Sequence, residues 1–192
     1  KTNPQIIGGF NSKSTELASR LFGEITHTVI DSGSLEASEM CKLLDNTFRD
    51  VMFSYSNLMA PLAENYGLNL CNLIDQVNLG YERNRIPKPS PGVGGACLSK
   101  DSYILASNFK ENNLDCELLL KAREINETAP KQICDRTEKM LSKVGKSIKS
   151  SNIFVIGLAF KGEPETSDLR ESTTIWFINE LRKRGCESIY CF

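Results

Sequence analysis

The most constraining feature of the sequence is a long run of apolar residues at helical spacing in its first third. Steps of three and four residues separate its members, which are Met40, Leu44, Phe48, Val51, Tyr55, Leu58, Leu62 and Tyr66. This spacing predicts one amphipathic helix over residues 35–66, with the apolar stripe as its core face. At about 1.5 Å per residue the helix is about 50 Å long, more than a small domain needs to cover itself. Such a helix packs in a bundle or across a dimer.

Shorter patterns on both sides of this helix predict alternating strands and helices. Before it come a strand in PQIIGG, a helix from Lys13 to Phe22 capped at Asn11 or Ser12, and a strand in THTVIDS. After residue 150 come an apolar strand in NIFVIGLAF, a helix from about Thr173 to Arg184 closed by Gly185, and a strand in SIYCF. This order predicts a βαβ unit, whose first strand is apolar enough to be buried on both faces of a parallel sheet.

Between these ends the pattern is mostly helical. Gly67 is predicted to end the long helix, NLCNLIDQVN predicts a second helix, and helical structure starts again at Ser102. A further helical stretch covers residues 117–149 and is expected to be interrupted near Pro130, because proline removes a backbone donor and crowds the preceding turn. The sequence therefore predicts a mostly α fold with flanking α/β segments.

Charge and hydropathy exclude several classes of protein. The chain has 192 residues with 23 Lys and Arg against 24 Asp and Glu, so its net charge of −1 gives no field that attracts nucleic acid or an anionic membrane surface. No apolar run approaches the roughly 18 residues of a membrane span, and no leader opens the chain. These features favour a cytoplasmic protein.

The seven cysteines do not form a recognisable framework. Their number is odd, none belongs to a C-x-x-C pair, and none has zinc-ligand spacing with His27, the only histidine. We therefore expect neither a disulfide framework nor a structural metal. Most of these thiols lie in apolar patterns, where cysteine is a small buried hydrophobe, and Cys97 is the exception.

Cys97 lies in the glycine-rich segment PSPGVGGACLSKDSYIL, after a glycine turn and at the start of a helix. A helix N-terminus and a nearby lysine both favour the thiolate form of a cysteine, and the segment supplies both. Gly92, Gly94 and Gly95 let backbone amides approach a bound group closely, because no Cβ stands in the way. The alternative is a plain connection with a buried cysteine, and these local features favour neither interpretation.

Polar residues elsewhere are equally open to two interpretations. Lys42 and Asn46 are four residues apart and share one helix face, which on its own is more typical of a solvated surface. Lys161 and Arg170 follow the NIFVIGLAF strand, and a cation at the carboxyl end of a parallel strand lies where open α/β sheets bind ligands. The sequence contains no G-x-G-x-x-G dinucleotide fingerprint.

Three segments together resemble a known family. EASEMCKLLDNTFRD, PGVGGACLSKDSYIL and GLAFKGEPETSDLRES are similar, in this order and at suitable distances, to the central motifs of the UDP-glucose/GDP-mannose dehydrogenases. GVGG and KDSYIL look closest to the branch that oxidises UDP-N-acetylhexosamines, UDP-N-acetylmannosamine especially. The resemblance covers nearly the whole chain and implies an NAD-dependent enzyme of polysaccharide biosynthesis.

The resemblance also implies a domain organisation. Residues 1–33 would be the tail of the NAD-binding Rossmann domain, and residues 34–150 a 6-phosphogluconate-dehydrogenase-like helical domain that forms a homodimer through the long helix. Residues 151–192 would begin a second Rossmann-like α/β domain, which binds the UDP-sugar. The chain starts at Lys1 rather than Met and ends in a strand-like run, so we expect it to be cut from a longer protein and to be inactive alone.

The family reaction assigns roles to the singled-out residues. It oxidises the sugar C6 alcohol to a carboxylate by two hydride transfers to NAD. By the resemblance, Cys97 is the nucleophile that forms a thiohemiacetal and then a thioester. Lys42 and Asn46 would stabilise the negative charge on the oxygen, and Asp101 would assist the water and proton steps.

The remaining matches concern binding. Phe160 and Lys161 would hold the uridine diphosphate, with Gly92, Gly94 and Gly95 as a close-approach surface for the sugar nucleotide. Lys100 would reach the cofactor and Arg170 its phosphates. From YERNR, Arg83 would cross to the neighbouring subunit's substrate, with Arg85 as the second candidate.

Two departures and one rival remain. Ala96 differs from the usual neighbours of the family's cysteine, and Ser102 replaces a usual proline after the KD pair. The rival is a non-catalytic module for dimerisation and nucleotide-sugar binding, which would have no need of a nucleophile. A cysteine-dependent hydrolase or acyl transferase is disfavoured because His27, in a strand-like segment, is no suitable base.

Overall fold

A computed structural model describes residues 3–81, 83, 85–162 and 164–192. The chain divides into two compact units, with the boundary between Asn46 and Thr47. Within the described residues there are six α-helices and four short strands. The fold is mostly helical with α/β segments at both ends, as predicted.

The first unit is a small βαβ arrangement followed by the start of a long helix. It contains β1 (Gln5–Ile7), α1 (Ser12–Gly23), β2 (Val29–Asp31) and the first turns of α2 (Leu35–Asn65). The two strands are parallel, with Ile6 opposite Ile30. Asn11 caps α1 as predicted: its side chain accepts from Ser14 N at 2.9 Å while Ser14 Oγ accepts from Asn11 N at 2.9 Å.

The second unit holds the rest of α2, three further helices and a second βαβ arrangement. Its elements are α3 (Leu70–Asn78), α4 (Leu98–Glu111), α5 (Glu117–Ser142), β3 (Asn152–Val155), α6 (Thr173–Lys183) and β4 (Ser188–Cys191). β3 and β4 are parallel neighbours, which confirms the predicted βαβ unit. Its helix is closed as predicted, because Gly185 has φ +85° and Cys186 N bonds to Leu181 O at 3.1 Å.

Two local predictions are wrong. α5 continues through Pro130, although proline cannot donate to the carbonyl of Asn126 one turn earlier. β3 is only four residues long and ends before Gly157, whose φ of +86° belongs to a turn. Phe154 in its centre is 61% exposed, so within the described residues this strand is not buried on both faces.

The apolar stripe of α2 is the main correction to the sequence analysis. In the second unit, Phe48, Tyr55, Leu58, Leu62 and Tyr66 are at least half exposed, and in the first unit Met40 and Leu44 are exposed too. The buried positions of the second unit's part of α2 include Thr47, Asp50, Ser54 and Asn57, which recur at steps of three and four. The helix therefore turns a polar face inward, because α5 offers that face polar partners.

An apolar core lies between α5, the βαβ unit and the segment that joins them. Its buried members are Cys134, Ile148, Leu181 and Cys186, and we call these four the apolar core. Leu141, Phe177 and the strand residues Ile153 and Ile189 pack against it. This core fixes α6 and the two strands to the C-terminal half of α5. No described helix is both long enough and apolar enough to cross a membrane.

Candidate active site

Cys97 is exposed and lies immediately before α4, in residues 89–98, which we call the Cys97 loop. The thiol makes no capping hydrogen bond to the helix. The turn before it is closed by Ser99, whose N and Oγ both donate to Gly95 O, at 3.3 and 2.9 Å. Asp101 N donates to Cys97 O at 2.9 Å. The thiol thus lies at a helix N-terminus, as predicted. It is exposed, which contradicts the alternative of a buried cysteine.

The three glycines of this loop are packed against the protein itself. A Cβ on Gly92 would lie 2.5 Å from Asn126 O, the carbonyl to which Pro130 cannot donate. A Cβ on Gly94 would lie 1.9 Å from Glu171 O, and one on Gly95 would lie 2.8 Å from the Phe160 ring. These contacts give a reason for the glycines that the sequence analysis did not: the loop lies directly on neighbouring backbone and an aromatic ring. Their role toward a sugar nucleotide stays a prediction.

Arg123 of α5 donates hydrogen bonds to the backbone of the Cys97 loop from the protein interior. Its guanidinium is fully buried and donates through Nη2 to Val93 O at 2.6 Å and through Nη1 to Leu98 O at 3.0 Å. Nη1 also donates to Asp50 Oδ1 at 2.8 Å. Arg123 therefore links the long helix α2 to both ends of the segment that carries Cys97.

Asp50 is the counter-charge of Arg123 and is likewise fully buried. Besides Arg123, it accepts from Asn126 Nδ2 at 2.7 Å and from Ser102 Oγ at 3.0 Å. Burial raises the pKa of this carboxyl from its ordinary value, while the Arg123 charge and the two hydrogen bonds oppose that shift. A carboxylate with three hydrogen-bond donors, one of which is the Arg123 guanidinium, is the form that the geometry supports.

Two asparagines extend the network to the start of the loop. Asn57 Nδ2 donates to Asn126 Oδ1 at 2.9 Å, and Asn57 Oδ1 accepts from Ser90 N at 2.8 Å. We call the buried side chains of Asp50, Asn57, Ser102, Arg123 and Asn126 the polar core. Every buried side-chain nitrogen and oxygen that the structure describes has a hydrogen-bond partner. This core was not predicted from the sequence, although its polar positions repeat at helical spacing within α2 and α5.

Asp101 is buried at the side of the loop. Its side chain is 2% exposed, and Lys100 Nζ lies 3.7 Å from its Oδ1. Ser102 follows it in α4 and donates to Asp50, so the residue that departs from the family pattern belongs to the polar core. The Asp101 carboxyl is thus buried one helical turn after Cys97, and its role in proton transfer stays a prediction.

Phe160, Lys161 and Arg170 lie in the segment between β3 and α6. Lys161 Nζ is 5.4 Å from the centroid of the Phe160 ring. Arg170 donates to both carboxylate oxygens of Asp168, with Nη2 to Oδ2 at 2.7 Å, and these bonds lower the pKa of Asp168 to about 2. The pKa of Arg170 is raised, mainly by its hydrogen bonds to Asp168.

The remaining predicted residues lie in other surroundings. Lys42 and Asn46 are one turn apart on α2 in the first unit, Lys42 exposed and Asn46 half-buried. In YERNR, Glu82 and Asn84 lie outside the described residues. Arg83 is exposed and its guanidinium carbon is 5.8 Å from the Tyr81 ring centroid; Arg85 is exposed too. Among the described residues, no three His, Cys, Asp or Glu side chains gather so as to hold a metal ion.

Comparisons with known proteins agree with this architecture. Residues 36–128 match the model of the UDP-glucose/GDP-mannose dehydrogenase family, central domain. A UDP-N-acetyl-D-mannosamine dehydrogenase of Pyrococcus horikoshii is 38% identical over 180 residues, which are 94% of this chain and 42% of that protein. One from Methanocaldococcus jannaschii is 31% identical over 191 residues, 99% of this chain and 42% of that protein. The chain thus spans less than half the length of these relatives.

Solved structures show the same fold. A UDP-D-ManNAc dehydrogenase from Pyrococcus horikoshii superposes with a TM-score of 0.86 at 35% identity, over 98% of this chain and 44% of that one. An NDP-N-acetyl-D-galactosaminuronic acid dehydrogenase from Methanosarcina mazei gives 0.80 at 30% identity, over 96% and 40%. The chain is therefore a member of the UDP-glucose/GDP-mannose dehydrogenase family and carries its central domain in residues 36–128.

Proposed function

We propose that the complete protein is an NAD-dependent nucleotide-sugar 6-dehydrogenase that oxidises the C6 alcohol of a UDP-sugar to the uronate. The observation that carries the proposal is the exposed Cys97 thiol on a loop held by the polar core, in a family of nucleotide-sugar dehydrogenases. A module that only bound and dimerised would not require a loop fixed in this way around a thiol. The N-acetylmannosamine names of several relatives favour a UDP-N-acetylhexosamine as the substrate.

The proposed reaction at Cys97 consists of two oxidations, with addition of the thiolate between them and hydrolysis at the end. Loss of a hydride and a proton converts the C6 alcohol to an aldehyde. The thiolate adds to the aldehyde carbon, and the thiohemiacetal then loses a second hydride and a proton to become a thioester. Water cleaves the thioester to the carboxylate and restores the thiol. When bound, NAD supplies the acceptor for each hydride.

Three residues would act on the charges and protons of these steps. Lys42 and Asn46, one turn apart on α2, would donate hydrogen bonds to the oxygen that becomes negative when the thiolate adds. Asp101, buried one turn after Cys97, would take the proton of the attacking water. Each group belongs to a helix, which suits residues that must keep a fixed orientation.

The anionic parts of the ligands would be held by exposed cations. Lys161 lines a cavity of about 410 Å³ between Gly157 and Leu169, and with Phe160 it would hold the uridine diphosphate. The side chains of Lys100 and Arg170 are 61% and 75% exposed, which fits contacts to the cofactor and its phosphates. Gly92, Gly94 and Gly95 would line the sugar side of the loop, and Arg83 would reach the substrate of a second subunit.

The exposed stripe of α2 would form a homodimer interface. In the second unit this stripe carries Phe48, Tyr55, Leu58, Leu62 and Tyr66. Single exposed apolar side chains are common on protein surfaces, whereas a continuous stripe of them is typical of an interaction surface. A mostly apolar cavity of about 290 Å³ continues this surface between α2 and α3. A second copy of the chain would cover it. Leu62→Glu is expected to convert the complete protein to a monomer in light scattering, whereas Leu118→Glu, at an exposed position of α5, is expected to leave the dimer intact.

The decisive assay follows NADH formation by the complete protein with a panel of UDP-hexoses and UDP-N-acetylhexosamines. We expect two NADH per sugar and a uronate product. Cys97→Ser is expected to stop the second oxidation while aldehyde formation survives, and Cys191→Ser, a change at another exposed cysteine, should have no effect. Absence of turnover with every sugar would contradict the proposal, and unchanged uronate formation by Cys97→Ser would remove Cys97 from the mechanism.

A further inference from the structure

We propose that Arg123 is a positioning residue for the reaction: it fixes the backbone on both sides of Cys97 and so holds the thiol where it attacks. This inference rests on the proposed role of Cys97 in the function above. Arg123 touches no reacting atom and acts only through the loop. Neither the sequence motifs nor the family resemblance assigned it a role.

The geometry of the two carbonyl contacts supports this role. Val93 O and Leu98 O lie four residues before and one residue after Cys97, and both accept from the one guanidinium, at 2.6 and 3.0 Å. The segment between them contains Gly94 and Gly95, which are the most flexible residues a backbone can have. A flexible segment whose two ends are bonded to one rigid group loses most of its freedom. Arg123 therefore restrains the two ends of the segment, in addition to the bond from Gly95 N to Glu171 O within it.

The surroundings of Arg123 prevent the guanidinium from turning away. Its Nη1 also donates to Asp50 and its Nε to Glu127 Oε1 at 3.1 Å. Asp50 is itself held by Asn126 and Ser102. A planar guanidinium can make these four contacts at once in fixed directions, whereas the single ammonium group of a lysine cannot reach all of them.

The same carboxylate also fixes the neighbour of Asp101. Ser102 donates to Asp50 Oδ2 at 3.0 Å and directly follows Asp101 in α4. Asp50 and Arg123 thus set the positions of the proposed nucleophile and of the proposed proton acceptor from one ion pair. We expect a change in this pair to disturb the chemical step more than the binding of substrate.

The experiment compares Arg123→Lys with Arg136→Lys in the complete protein. Arg136 lies on the same helix, but its guanidinium is half exposed and pairs with Glu64 of α2. The first readout needs no turnover: the rate at which iodoacetamide alkylates Cys97, followed by mass spectrometry of the cysteine-containing peptides. The second readout is kcat and KM for the UDP-sugar.

We expect Arg123→Lys to slow alkylation of Cys97 about threefold or more. Without Arg123 the thiol would no longer be held at the helix N-terminus, which favours its thiolate form. We also expect kcat to fall at least about tenfold with little change in KM, since misplacement by about 1 Å can cost up to about 100-fold in rate. Arg136→Lys should match the wild type in both readouts.

Wild-type alkylation and kcat in Arg123→Lys would overturn the proposal, and so would a higher KM at unchanged kcat. If Arg123→Lys does not fold, Ser102→Ala replaces it, because it removes one donor from Asp50 and leaves the ion pair in place. Ser102→Ala is expected to change alkylation and kcat in the same direction, and wild-type values would again overturn the proposal. If the wild type oxidises no UDP-sugar, the proposed function fails, but the alkylation rates still decide whether Arg123 positions the loop.

Discussion

The two halves of α5 bury opposite kinds of side chain. In its first half, Arg123 and Asn126 are fully buried among charged and polar partners. In its second half, Cys134 is fully buried in the apolar core with Ile148 and Leu181. The helix is continuous between them, so one rigid element carries both cores.

The two cores therefore contribute differently: the apolar core mainly to stability, and the polar core to the orientation of the groups bonded to it. Apolar contacts are non-directional, so the apolar core holds α6 and the strands together without fixing any single group in orientation. Hydrogen bonds to charged groups are directional and costly to leave unpaired, so the polar core holds each partner in one place. The loop that must be placed accurately is attached to the polar half.

The largest effect is expected for Arg123→Met. Removing the cation leaves Asp50 buried without a counter-charge, which costs about 3–5 kcal/mol of unfolding free energy. Urea unfolding of the complete protein would measure the loss. Lys121→Met, which removes an exposed ion pair from the same helix, should cost less than about 1 kcal/mol. Equal losses in the two variants would show that the buried ion pair contributes no more to stability than an exposed one.

Leu181→Ala tests the apolar core. Leu181 is fully buried, and its truncation is expected to cost about 3 kcal/mol through lost burial and a cavity. Leu181→Met keeps the volume and should cost less than about 1.5 kcal/mol. The same unfolding measurement applies, with kcat of the Met variant expected at the wild-type value. A Met variant as damaging as the Ala variant would mean that this core too depends on exact shape.

Ser102→Ala is expected to have a smaller effect on stability. It removes one of the hydrogen bonds to Asp50 and keeps the ion pair with Arg123, which costs about 1–3 kcal/mol. Ser99→Ala serves as the control in the same helix, because its hydroxyl donates to a loop carbonyl and not to a buried charge. The urea midpoints of the two variants measure the difference. A larger loss of stability for Ser99→Ala than for Ser102→Ala would contradict the importance assigned to Asp50.

The smallest effect concerns the exposed pair of Asp168 and Arg170, which contrasts with the buried pair of Asp50 and Arg123. The pKa of Asp168 is lowered from 3.8 to about 2 by its hydrogen bonds to Arg170. The stabilisation by this pair is therefore fully present above about pH 4 and is lost as the pH falls toward 2. Arg170→Gln should return the pKa toward 3.8, as seen in an NMR titration of the Asp168 carboxyl. An unchanged pKa would show that Arg170 is not its cause.

Much of the fold could be predicted because its signals are local. Asn11 caps α1, Gly185 closes α6, and the spacing of apolar residues gave the length of α2. The position of Cys97 before α4 could also be predicted, since glycines followed by a helical pattern indicate a loop and a helix start, but its exposure could not. Each of these features depends on residues within a few positions of one another.

The rest depended on contacts between distant parts of the chain. The apolar periodicity of α2 revealed a helix but not which face is buried, because Asp50 finds its partner 73 residues away in Arg123. The contacts of the loop glycines with the protein itself, such as that of Gly94 with the carbonyl of Glu171, were likewise not predicted. No local pattern contains the partner in either case.

A backbone hydrogen bond joins the Cys97 loop to the segment that follows β3. Gly95 N donates to Glu171 O at 3.0 Å, and Phe160 N is bonded to Asp168 O within that segment. Domain closure in enzymes commonly proceeds by rotation about a few hinge residues. A rotation of this segment either moves the Cys97 loop with it or breaks the hydrogen bond at Gly95. A hinge that keeps this bond therefore has to lie outside both the Cys97 loop and the segment that follows β3.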